Sequence, residues 1–191
     1  MKKARLGPSA MLFPMPAVLV GGRGKNGDIS FATIAWAGIV NSTPPMVGVG
    51  IRKSRLTHAL ISESGVFSVN VPSSRQALEA DYCGLVSGRS EDKVKACGFT
   101  IFYGSLKDAP LIEECPFNLE CRVERVIELP SHDFFIGEIV ESHMDENLMA
   151  DPKDGFVKID PLVFLGTHYA GIAGNMGRAF AVGRKLKPKA S

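Results

Sequence analysis

Apolar, β-branched and aromatic residues gather in short runs at 16–21, 30–40, 46–52, 66–71, 117–129, 134–144 and 156–164, each bounded by Gly, Pro, Asn or Asp. This punctuation predicts about seven strands. Within 117–129, Phe117, Leu119, Cys121, Val123, Ile127 and Leu129 share one face. Asn118, Glu120, Arg122, Glu124 and Glu128 share the other, while Arg125 and Val126 swap sides. That alternation predicts a strand with one core face and one solvated face, as antiparallel sheets allow. Phe134-Phe135-Ile136 is apolar on both faces, so cover is expected on both sides, from a helix, a barrel interior or a second subunit. Helical patterns are short: 56–64, 73–83 and a turn or two at 91–97, the last with Ser90 as N-cap. Strands with irregular helical insertions and no strict βαβ alternation point to a mainly β barrel rather than a doubly wound sheet.

Gly22-Arg23-Gly24-Lys25-Asn26-Gly27 fits the dinucleotide fingerprint GxGxxG and follows an apolar strand. The fingerprint needs a helix to start inside the glycines. Here Asp28-Ile29-Ser30-Phe31-Ala32-Thr33-Ile34-Ala35-Trp36 follows, without a helical stripe. Asn26-Gly27 between two strands instead predicts a hairpin of type I′. A Rossmann-type dehydrogenase is the weaker alternative.

Chemistry is expected where the third strand ends. Met46 to Ile51, with Val49 and Gly50, leads through Arg52-Lys53-Ser54-Arg55-Leu56-Thr57-His58 into a helix. A helix N-terminus with hydroxyl and guanidinium donors suits phosphate oxygens. Plain capping by Ser54 or Thr57 fits that segment equally well. Trp36, the only tryptophan, reads by itself as a core aromatic. Asn70 reads as a satisfied hydrogen-bonding group in a buried strand. Lys93 reads as a surface charge beside Glu91 and Asp92, and His132 as a cap or a site residue at a strand start.

Length and composition fit one ordinary globular domain: 191 residues, 45% hydrophobic and 22% charged, with neither repeat nor linker. A net charge of +2 without a basic stripe argues against nucleic acid. No apolar run approaches membrane-spanning length, and prolines interrupt the start where a signal peptide needs an apolar stretch, so a cytoplasmic location is expected. Cys83, Cys97, Cys115 and Cys121 show no CxxC or zinc-type spacing, which predicts reduced, part-buried thiols without metal or redox-disulfide chemistry.

Taken in order, the elements resemble the flavin reductase-like, FMN-binding split-barrel family, and within it the flavoredoxins. They are the hairpin and Thr33-Ile34-Ala35-Trp36; Thr43-Pro44-Pro45-Met46-Val47 leading to Arg55-Leu56-Thr57; Gly65 to Val71; Ser87-Gly88-Arg89 with Asp92-Lys93; and His132 ahead of Ile136-Gly137-Glu138-Ile139. The resemblance covers roughly residues 10 to 180 and lies in the ordered set rather than in any one motif. It implies an antiparallel Greek-key split β-barrel and FMN as cofactor. It also implies a homodimer that takes electrons from NAD(P)H or a reduced electron-transfer protein. By likeness, Thr33, Ile34, Ala35 and Trp36 contact FMN, while Ser54, Arg55 and Thr57 hold its phosphate, with Val49, Gly50 and Arg52 beside them. Lys93, His132 and Phe164 then lie near the ring or ribityl chain. Ser30 stands where flavoredoxin-like members often carry Asn, so its shorter side chain is expected to reach the flavin through water. A cation such as Lys93 would favour the reduced flavin, which is negative near N1. A non-catalytic flavin-binding module shares the same pocket and is the other alternative.

Overall fold

The computed structural model describes residues 1–149 and 158–172. Chain order begins with β1 (Met15–Pro16), β2 (Val18–Arg23), β3 (Ile29–Ile34), β4 (Ala37–Ser42), β5 (Pro45–Arg52), α1 (Leu56–Ser64) and β6 (Val66–Val71). It continues through a 3-10 turn (Ser74–Gln76), α2 (Ala77–Leu85), α3 (Lys93–Cys97), β7 (Ile101–Phe102) and β8 (Leu111–Ile112). The long strands β9 (Phe117–Glu128) and β10 (His132–Met144) follow, then α4 (Glu146–Met149), β11 (Val163–Phe164) and β12 (Tyr169–Ala170).

Seven strands form one sheet in the order β3-β2-β6-β9-β10-β5-β4, and every strand pairing among the described residues is antiparallel. Its two edge strands, β3 and β4, are consecutive in the chain and separated only by Ala35 and Trp36. Laid flat, seven strands would hold those edges roughly 28 Å apart. Three Cα–Cα steps span about 11 Å at most. The sheet therefore curls until its edges meet, and Gly50 N–H, donating to Trp36 O at 2.8 Å, prolongs the β4–β5 ladder into the crossing.

The expected strand over 30–40 is thus two strands on opposite edges of the barrel. Pattern alone cannot show the break, because β3 and β4 are both extended and differ only in partner, β2 for one and β5 for the other. The doubly wound alternative fails on the antiparallel pairings. The hairpin after β2 is real, but its turn is not type I′. Gly27 takes φ 89°, Asn26 has no positive φ, and Gly27 N–H closes on Gly24 O. This is a tight turn ended by a left-handed glycine. Gly22 answers to packing rather than to a phosphate: a Cβ there would stand 2.9 Å from Ile61 Cγ1, where α1 crosses β2.

Strands β2 and β3 are covered on both faces. Val18, Val20, Ala32 and Ile34 join Val47, Val49, Ile51, Phe67 and Phe135 inside the barrel. Ala17, Leu19 and Phe31 face outward onto Ala80, Cys83 and Phe99 beneath α2 and α3. In β10, Phe135 is fully buried while Phe134 and Ile136 are half-buried on the outer face. The face of β9 expected to be solvated is buried at Asn118 and Glu120. The segment 103–110 covers it, for Ser105 N–H donates to Glu120 at 3.1 Å and His143 bonds the same carboxylate at 2.7 Å. The irregularity at Arg125 and Val126 is a β-bulge, with the β10 partners jumping from Arg125 to Val123.

The 91–97 helix begins at Lys93, capped by the Asp92 side chain on Lys95 N–H at 3.0 Å, and not by Ser90. Asp92 wins because a carboxylate directly before the first turn reaches the third N–H. Of the expected strand 156–164, residues 156 and 157 lie outside the described residues, and the rest forms only the short β11.

Candidate functional site

The two-residue crossing from β3 to β4 is where the expected residues converge. Thr33, Ile34, Ala35 and Trp36 line a cavity of about 190 Å³ together with Gly50, Arg52, Arg55 and His132. His132 starts β10 directly opposite Arg52 at the end of β5, so the ladder register carries both to the seam. The Trp36 and His132 rings lie 4.4 Å apart, tilted by 45°. Burial, helped by the Arg52 charge, lowers the His132 pKa below its ordinary value and keeps the ring neutral further into acid. Trp36 is 42% exposed and is therefore a wall of the cavity rather than a core aromatic.

Arg55 is the N-cap residue of α1, and neither its own side chain nor an acidic first-turn residue caps the helix. Its guanidinium reaches across to the end of α2, donating to Gly84 O at 2.6 Å and Val86 O at 3.3 Å. The helix end thus keeps its positive pole and its free N–H groups. Thr57 is buried in the first turn, whereas Ser54 and Arg52 are exposed. Capping by Ser54 or Thr57 is excluded by that geometry.

A second hollow of about 310 Å³ shares Thr33 and Ala35 with the first and is completed by Ala17, Asp81, Gly84, Leu85, Phe164 and Tyr169. Phe164 arrives through the pairing of β11 with β1, which sets it opposite Met15. Its ring packs on Tyr169 at 5.6 Å. Thr33 Oγ1 donates to Ala80 O and ties α2 to this floor. A third, open hollow of about 750 Å³ lies between Ile29, Leu56 and the segment 88–92.

Three expected residues sit differently from their sequence readings. Lys93 is no surface charge: it is 2% exposed, and its Nζ donates to Phe31 O and Cys83 O, both at 2.8 Å. Burial lowers its pKa, Cys83 acts in the opposite sense, and Arg55 lowers it further. Val49 is wholly inside the barrel core and does not line the cavity. Ser30 is buried, and its Oγ has no hydrogen-bond partner, with Gly88 lying directly against it. Pattern reasoning missed Asp81, Leu85 and Tyr169. Their signal was weak, since only the docking of α2 onto β3 and the pairing of β12 with β11 bring them to the cavity.

The fold is a split barrel whose seam carries a cavity walled by Trp36 and His132 beside the cationic start of α1. The chain belongs to the flavin reductase-like domain family, whose sequence model matches residues 10–173. It is similar to a flavoredoxin from Methanosarcina acetivorans, with 39% identity, a TM-score of 0.88 and coverage of 98% of this chain and 100% of that one. The flavoredoxin of Desulfovibrio vulgaris (Miyazaki F) is 36% identical with a TM-score of 0.87, over 96% of this chain and 100% of that one. An FMN-binding protein from Thermus thermophilus with bound 1-cyclohex-2-enone is 26% identical with a TM-score of 0.78, over 93% of this chain and 99% of that one. The chain spans 61% and 62% of the length of two curated relatives it matches, from Archaeoglobus fulgidus and Aeropyrum pernix.

Proposed function

We propose that this chain binds FMN and passes electrons through it in the manner of a flavoredoxin, from NAD(P)H or a reduced electron-transfer protein to an acceptor. The observation that carries the reading is the meeting of residues 33–36, Arg55 and His132 around one cavity at the barrel seam. The residues fit the group part by part. Two adjoining hollows run along Thr33 and Ala35 for the ring and the ribityl chain. The uncapped start of α1, with Arg55, suits a terminal phosphate. Ser30 Oγ supplies an orphaned buried hydroxyl that a polar ligand atom would satisfy. Likeness to an FMN-binding protein favours FMN over FAD.

When bound, the flavin supplies the redox chemistry itself. Trp36 and His132 shield one side of the cavity from water. Lys93 lies behind β3, anchored by two backbone carbonyls and outside the lining of both hollows, so its charge would act on a bound flavin only across the strand. Val40, Ile127, Phe134 and Ile136 leave apolar surface on the outer face of β4, β10 and β9, and a second copy of the chain is the cover that we infer for it.

Protein purified without added cofactor should be yellow and release FMN on denaturation, and titration should show tighter binding of FMN than of FAD. A colourless preparation that binds neither overturns the reading. Stopped-flow mixing with NADH, NADPH and a reduced ferredoxin separates the donors, and reduction by none faster than that of free FMN would favour the non-catalytic module. Sedimentation at micromolar concentration reports the dimer, and a 20.5 kDa species refutes it.

A further inference from the structure

Cys83, in the last turns of α2, and Cys97, at the end of α3, lie fourteen residues apart in sequence, yet their sulfurs are 4.0 Å apart. Both are free thiols, Cys83 fully buried and Cys97 half-buried. Of the two other buried free thiols, Cys115 shares the outer core cluster with Cys83 and Cys121 lies inside the barrel, and neither sulfur is hydrogen-bonded to another among the described residues. The Cys83–Cys97 pair is joined to the cavity by backbone. Cys83 O accepts Lys93 Nζ, and the next carbonyl, Gly84 O, accepts the Arg55 guanidinium. A shift of this one turn of α2 moves the acceptors of both cations.

We propose that Cys83 and Cys97 form a second redox site, a dithiol that a hydroperoxide oxidises to a disulfide, and that the bond weakens retention of the flavin. The second half rests on the function proposed above, and the first does not. Cys97, the more accessible sulfur, gives its proton to solvent and attacks one oxygen of hydrogen peroxide. The S–O bond forms, the O–O bond breaks, and hydroxide leaves, taking up a proton as water. Cys83 Sγ then attacks the Cys97 sulfenic sulfur. The S–S bond forms, the S–O bond breaks, and the departing hydroxide leaves with the Cys83 proton as a second water. Two sulfurs lose two electrons, and the peroxide gains them. Closing the gap needs about 2 Å of approach. Side-chain rotation supplies part of it and movement of the last α2 turn the rest, drawing Cys83 O and Gly84 O away from Lys93 and Arg55. Burial raises both thiol pKa values, so at neutral pH both sulfurs are protonated, and the reaction with peroxide runs through the small fraction of Cys97 that has lost its proton to solvent.

The test treats the flavin-loaded protein with hydrogen peroxide, alkylates it in denaturant and maps its peptides by mass without reduction. A Cys83–Cys97 linked peptide short of two hydrogens is expected, with Cys115 and Cys121 still alkylated. The Kd for FMN should rise about threefold or more and recover with dithiothreitol, as weakening one or two hydrogen bonds to the cations implies. Cys97→Ser should bind FMN normally and lose both the link and the response to peroxide. Cys97 carried on to sulfinic acid with Cys83 left as a thiol overturns the site, and a link that leaves the Kd unchanged overturns the coupling. Because the link is scored by mass alone, protein that never binds FMN sinks the proposed function without deciding this one.

Discussion

Two buried polar clusters sit on opposite sides of β2, and they solve their hydrogen bonding in opposite ways. Around β6, Asn70 is closed on all sides. Its amide donates to Leu19 O and to Ser68 Oγ, each at 3.0 Å. Its carbonyl accepts Ile112 N–H at 2.9 Å and Asn118 Nδ2 at 2.8 Å. Asn118 also donates to Ile112 O, and Ser68 to Pro110 O. Around β3, Ser30 Oγ has no partner, α1 has no side-chain cap, and Trp36 faces an open cavity. A satisfied network has nothing left to offer a ligand and serves stability. A buried group left open costs stability until something binds to it, which makes it the better marker of function.

The largest test of this contrast is Asn70→Ala. It strands a carbonyl, an N–H and two side chains, so chemical denaturation should show a loss of about 3 kcal/mol. Flavin affinity of the folded fraction should barely change. Arg55→Ala should do the reverse: the Kd for FMN rises about tenfold or more while the unfolding midpoint moves little, because charge-assisted hydrogen bonds to an anion are the stronger kind. Arg55→Lys should recover only part of this, having lost the fork that spans Gly84 O and Val86 O. Ser30→Ala sharpens the comparison further. Removing an orphaned hydroxyl should leave the flavin-free protein equally or more stable, yet weaken FMN binding about fivefold, worth one hydrogen bond. Equal loss in both states would put Ser30 with the structural cluster.

The smallest effect is a pH dependence in the structural half. Burial alone would raise the Glu120 pKa, but the His143 bond and the N–H groups of Leu106 and Ser105 outweigh it and hold the carboxyl below its usual 4.5. A lowered folded pKa means that the folded chain binds the proton less readily than the unfolded chain. The stabilisation is therefore present above pH 4.5 and drains away as pH falls through the folded value. Denaturation midpoints measured downward from pH 5 should fall for the parent protein and fall less for Glu120→Gln.

Much of this was legible from pattern. Residues 56–64 and 66–71 predict α1 and β6 to the residue, because a polar-flanked helical run and a β-branched run each end at Gly65, which takes a left-handed φ of 73°. Asn70 was readable as a satisfied group for the same local reason. Lys93 was not. Its neighbours Glu91 and Asp92 are exposed, and only the packing of α3 against β3 removes its ammonium from water. Nor was the Cys83–Cys97 pair readable, since no spacing rule connects the ends of two helices that meet only after folding.

By itself, then, the order of apolar runs and turns determined elements such as α1, β6, β9 and β10, the antiparallel class and the family likeness, since each depends on interactions within a few residues. Tertiary structure alone decided that 30–40 is two strands, that Val49 turns inward and Trp36 outward, and which buried groups stay unpaired. The reason is the seam: joining the edges of a seven-stranded sheet through Ala35 and Trp36 is a condition on the whole sheet, and no local pattern carries it.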